Sequence, residues 1–129
     1  MAEIYPLELV RSDDIILTEV LINTHTASLV LDTGATHTII DLNTLLIAGY
    51  SFVSMGKKEF ETANGIIKLD MIHLKSCTIW QRVFREIDIY TLDFIEAGIM
   101  SPYEGVLGLD IMKQFCITLD FNNRLLKIE

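Results

Sequence analysis

The sequence predicts an all-β domain with two short helices and an internal pseudo-two-fold, on three observations. Short runs rich in Val, Ile, Leu and Thr alternate with turn residues along most of the chain. The one Asn-Gly step, Asn64-Gly65, stands between two alternating runs, as in a tight hairpin. A plan of hairpin, short apolar strand ending in a turn and short helix occurs twice, over residues 15–48 and 72–115. With 129 residues, half of them hydrophobic, the chain makes one domain, 1–129.

Each element has a local cause. Ile15–Ile22 reads as the first strand, residues 23–26 as its turn, and 27–31 as the return. Leu29-Val30-Leu31 is apolar on both faces, so that strand is expected to run through the core. Residues 37–40 continue extended; Asp41 is a good N-cap for a helix over 42–48, which Gly49 ends. A hairpin over 57–72 follows, with Ala63-Asn64-Gly65 at its tip. Residues 72–79 and 83–90 form the next hairpin, with Val83, Ile87 and Ile89 facing in and Glu86 and Asp88 out. After a loop over 91–104, Val106-Leu107 is a short strand ended by Gly108, and 109–115 a second helix. The chain closes in a hairpin over about 117–129, turning at Asn122-Asn123.

Composition excludes several functions. Eighteen acids against ten bases give a net charge of −8, so the basic surface that nucleic acid requires is not expected. No stretch reaches the ~18 uncharged apolar residues of a membrane span. The start, Met1-Ala2-Glu3-Ile4, carries an acid where a signal peptide carries bases, which points to a cytoplasmic protein. Cys77 and Cys116 sit beside apolar neighbours and are expected to be buried free thiols. His73-x3-Cys77 has no second pair, so neither a metal nor any other cofactor is expected.

The informative segment is Leu29-Val30-Leu31-Asp32-Thr33-Gly34-Ala35. It delivers a carboxylate at the mouth of a doubly apolar strand. Gly34 lets backbone amides approach that carboxylate, and the Thr33 hydroxyl is free to bond a neighbouring chain. Together with the hairpin at Thr62-Ala63-Asn64-Gly65 and with Gly105-Val106-Leu107-Gly108-Leu109-Asp110, it resembles the retropepsin-like aspartic protease family from about Ile15 to the end of the chain. The resemblance implies an acid-protease barrel and an aspartic endopeptidase acting on polypeptide. Asp32 is then catalytic. Thr33 and Gly34 support the site, with Thr33 bonding across subunits, and Val106, Leu107 and Gly108 pack behind it. Ala35, Thr36, Asn64 and Gly65 bind substrate, the last two near the tip of a flap. The chain has a single Asp-Thr-Gly, so the second carboxylate must come from another copy, in a homodimer tied by the C-terminal hairpin.

Departures from the retroviral pattern point to cellular or bacterial relatives. Thr36-His37 stands where retroviral members carry acidic residues, and the hairpin tip has one glycine. The competing reading is a peptide-binding or dimerisation module that keeps the fold without proteolysis.

Overall fold

The computed structural model describes residues 2–10, 15–62 and 65–129. In chain order the elements are β1 (Glu3–Pro6), β2 (Glu8–Val10), β3 (Ile15–Ile22), β4 (His25–Leu31), β5 (Ile39–Asp41), α1 (Leu42–Ile47), β6 (Lys57–Thr62), β7 (Gly65–Ile79), β8 (Arg82–Leu92), β9 (Gly105–Leu107), α2 (Leu109–Met112), β10 (Ile117–Asp120) and β11 (Leu125–Ile128).

Eight strands form one sheet in the order β2-β3-β4-β9-β5-β8-β7-β6, and a further β3–β7 pairing, Val20↔Ile79 and Leu21↔Thr78, closes its central six into a barrel. That order is a palindrome. Exchanging β2 with β6, β3 with β7, β4 with β8 and β5 with β9 and reading the order in reverse leaves it unchanged, and α1 follows β5 as α2 follows β9. The parallel pairs β4–β9 and β5–β8 are mates under this exchange, and the antiparallel β5–β9 contact lies on the pseudo-axis. The repeated plan in the sequence is therefore a repeated structure.

In the core, Ile22, Leu29, Leu74 and Leu107 of the barrel strands and Leu45 of α1 are fully buried. Each contributes about 1.5–3 kcal/mol of transfer free energy. The Thr91 hydroxyl, also buried, donates to Ile40 O at 2.7 Å. No buried side-chain nitrogen or oxygen lacks a partner among the described residues. As expected, Asp41 caps α1, accepting from Asn43 N, and Gly49 takes φ +102° beyond its end.

Several expectations need correction. Ile15–Ile22 is the third strand, since β1 and β2 precede it; β1 pairs with β11, making a second sheet β1-β11-β10. His25 and Thr26 belong to β4, so the turn is Asn23-Thr24, with Asn23 at φ +54°. The expected strands either side of residue 72 are one strand, β7. Gly65 pairs with Thr62 and opens β7 instead of lying in the turn; Ala63 and Asn64 lie outside the described residues. Val83 is exposed and Phe84 is buried, so the inward face of β8 changes between Phe84 and Ile89, the stretch that contains Glu86 at φ +53°. The second helix spans four residues only. Both cysteines are free, but Cys116 is exposed. Burial pushes the Cys77 thiol up to about 11.

The loop before β9 is anchored by Glu104. Its carboxylate accepts from Ser28 N at 2.8 Å and Thr44 Oγ1 at 3.3 Å, and lies 2.9 Å from His25 Nε2. Partial burial pushes this carboxyl up, but the bonds from His25, Ser28 and Thr44 outweigh it and hold it below the ordinary value of 4.5. A depressed folded value means stability that is complete above the unfolded value and lost as pH falls through the folded one. Glu104→Gln should therefore lower the melting temperature at about pH 7 and leave it nearly unchanged near pH 2. Thermal denaturation at the two pH values checks this.

Candidate active site

β4 lies between β3 and β9, so its chain leaves the core directly into the loop that carries Asp32. Asp32 N donates to Leu107 O at 3.1 Å, extending the parallel β4–β9 pairing beyond the strand. Gly34 N donates to Asp32 Oδ1 at 2.9 Å and Ala35 N to Asp32 O at 3.1 Å. The half-buried carboxylate is thus oriented by its own loop.

That loop is bound in turn to the start of α2. Leu109 N donates to Ala35 O at 2.8 Å and Asp110 N to Thr36 O at 3.2 Å. The Asp110 carboxylate accepts from Thr38 N, from Thr38 Oγ1 at 2.8 Å and from Ile111 N at 2.9 Å. Thr38 Oγ1 accepts from Gly108 N at 3.0 Å. Gly108 has no room for a side chain: a Cβ there would lie 2.5 Å from the His37 carbonyl carbon. Thr38 and Asp110 are structural members of the site to which the sequence reading assigned no role; the only signal was an acid directly after Gly108-Leu109.

A cleft of about 390 Å³ opens over Asp32. Its floor is Asp32, Gly34, Ala35, Thr36, His37, Ile39 and Val106; Phe60, Glu61 and Ile67 close it from the β6–β7 hairpin. Phe60 and Ile67 face each other in that hairpin's register. His37 meets Phe60 and Tyr90 edge-on, at centroid distances of 5.3 and 5.2 Å, and its Nδ1 lies 2.9 Å from Thr36 Oγ1.

Of the residues singled out in the sequence, Asp32, Gly34, Ala35, Thr36 and Val106 line this one cleft. Leu107 and Gly108 lie buried behind it. Thr33 is exposed on a separate groove of about 300 Å³, shared with Leu31, Leu109, Met112, Lys113, Phe115, Ile117 and Leu119. Gly65, at φ +118°, is exposed beyond the Phe60–Ile67 pair, and Asn64 lies outside the described residues. His37, Ile39, Phe60, Glu61 and Ile67 join the cleft without having been assigned to it. The hairpin's own alternation could have nominated Phe60 and Ile67.

Among the described residues no group of His, Cys, Asp and Glu is arranged to hold a metal, and no helix is long and apolar enough to cross a membrane. No curated protein matches the chain. Among solved structures it is similar to a retropepsin-like aspartic protease from Rickettsia conorii, with a TM-score of 0.66 and 19% identity over 99% of this chain and 90% of that one. The sequence model of the family described as "gag-polyprotein putative aspartyl protease" matches residues 18–114. With the barrel, the Asp32 loop and that match together, the chain belongs to the retropepsin-like aspartic protease family.

Proposed function

We propose that the chain is an aspartic endopeptidase whose catalytic dyad is Asp32 from each of two copies. The observation that carries this reading is the Asp32 carboxylate itself, held by the Gly34 amide on the floor of a cleft that a hairpin closes from above. Two carboxylates about 3 Å apart cannot both ionise, so such a pair shares one proton. The ionised member takes a proton from water as that water attacks the scissile carbonyl, and the protonated member donates to the carbonyl oxygen. The peptide lies extended between the hairpin and the floor, in the manner of an added strand.

A second copy has a place to bind. Thr33, next to Asp32, borders the apolar groove formed by Leu31, α2 and β10, and Leu109 there is 40% exposed. β11 has partners on both sides within the chain, so the C-terminal hairpin offers a second copy the outer edge of β10. A two-fold axis beside this groove sets the two Asp32 loops next to each other and lets Thr33 bond across it.

The test is incubation of the full-length protein with a mixed peptide library over a range of pH. Cleavage with a bell-shaped profile of kcat/KM is expected, one limb for each macroscopic ionisation of the pair. Binding without cleavage would leave the peptide-binding module in its place.

A further inference from the structure

Resting on the peptidase reading above, we propose that Tyr90 is a positioning residue that latches the β6–β7 hairpin over the cleft through Phe60 and His37. The register shows why a latch is needed. The β7–β8 ladder begins at Asp70↔Thr91, and β6 is the outermost strand of its sheet. Residues 57–62 and 65–69 therefore form a two-stranded ribbon with no further strand at either flank among the described residues. A two-stranded hairpin is marginal on its own, so its position depends on what its side chains touch.

Phe60 makes such a contact. Its ring meets His37 and Tyr90 edge-on at centroid distances of 5.3 and 5.0 Å, and those two meet each other at 5.2 Å. Tyr90 is the fixed member. It pairs with Ile39 on one side and Met71 on the other, and its N–H donates to Thr38 O at 3.2 Å. Ile89, just before it, belongs to the main hydrophobic core, whereas Tyr90 and the hairpin's Leu69 are buried outside that core. Alternation along β8 accounts for this: Ile89 faces the barrel interior and Tyr90 the opposite side, toward Phe60.

Tyr90 does not line the cleft. Its effect passes through Phe60, which lines the cleft from the hairpin, and His37, which lines the floor. Edge-on aromatic pairs add to the stability that burial alone confers. While the three rings stay together the hairpin is held down on an empty cleft, and a peptide enters when Phe60 leaves the other two. An aliphatic residue in place of Tyr90 removes its pairs with both rings and should raise the open-to-closed ratio about tenfold.

Two spin labels read the position of the hairpin: Lys68→Cys on the ribbon and Val83→Cys on the barrel, both at exposed positions, with Cys116→Ser to keep labelling specific. The labelled full-length Asp32→Asn chain is mixed with an excess of unlabelled chain, so that distances within one chain dominate. One main distance is expected with Tyr90 in place and with Tyr90→Phe, which keeps the ring. A second distance should appear in Tyr90→Leu and in Phe60→Leu. Ile89→Val, on the core side of β8, should lower stability without adding it. In stopped-flow anisotropy, a short apolar peptide should associate about tenfold faster with Tyr90→Leu, an effect that mere loss of stability cannot produce. No second distance in either Leu variant, the same second distance in Ile89→Val, or unchanged association would each overturn the proposal. A hairpin that responds as expected in a wild-type protein that cleaves nothing would overturn the peptidase reading alone. Cleavage by a protein whose hairpin is indifferent to Tyr90 and Phe60 would overturn the latch alone.

Discussion

Asp32→Asn should reduce peptide cleavage by at least about a thousandfold while leaving the fold and the dimer intact. Asn retains an Oδ1 that accepts from Gly34 N, so the 2.9 Å bond that orients the side chain survives the change. What is lost is the basic oxygen, because a neutral amide cannot take a proton from water. Carboxylates held close together repel, so neutralising one in each copy should not lower the melting temperature. Rates on a cleavable peptide, paired with thermal denaturation and sedimentation of the same samples, check each part. A mutant that cuts as fast as wild type removes Asp32 from the chemistry.

Gly108→Ala should have the opposite profile, damaging fold and activity together. The backbone at Gly108 has φ −100°, which an L-residue adopts readily, so conformational strain is not the cause. Space is. The added Cβ would sit 2.5, 2.7 and 2.9 Å from the carbonyl carbon, oxygen and nitrogen of His37, all of them backbone atoms. Relief requires moving either the 32–38 loop or the start of α2, and the bonds from Leu109, Asp110 and Gly108 to that loop hold the two together. Overpacking of this kind destabilises by roughly 1–3 kcal/mol, and the upper end is expected where backbone faces backbone. A displacement of Asp32 by a fraction of an ångström adds a loss in kcat beyond the loss of folded protein. Urea unfolding and kcat per folded molecule separate the two effects. Gly34→Ala offers a contrast, since its Cβ would meet only the Asp32 Oδ1, at 3.2 Å. It should disturb the carboxylate more than the fold.

The parts of this architecture that could be read from the sequence are those with local causes. The limits of β3, the Asp41 cap, the turn at Gly49 and the Asp-Thr-Gly loop each depend on a few neighbouring residues. β1 was missed because Glu3-Ile4-Tyr5-Pro6 has little pattern of its own; it is a strand because β11, at the other end of the chain, pairs with it. β7 was divided in two because its buried residues, Leu69, Ile72, Leu74, Cys77 and Ile79, change phase along the strand. A long twisted strand that serves both hairpin and barrel presents different faces at different points, and a fixed period of two cannot follow it. The site divides in the same way. Asp32 and Gly34 announced themselves as a motif, whereas Thr38 and Asp110 are brought together across 72 positions by the barrel. The His37–Phe60–Tyr90 cluster likewise joins three elements that only the closed fold brings into contact.

The central claim, a site shared between two copies, is tested most directly by specific activity over a dilution series, with the dimer fraction measured by sedimentation in the same solutions. If each site takes Asp32 from two chains, activity per chain falls with the dimer fraction and vanishes in the monomer, as mass action requires. Undiminished activity in a solution that sediments wholly as monomer would contradict it.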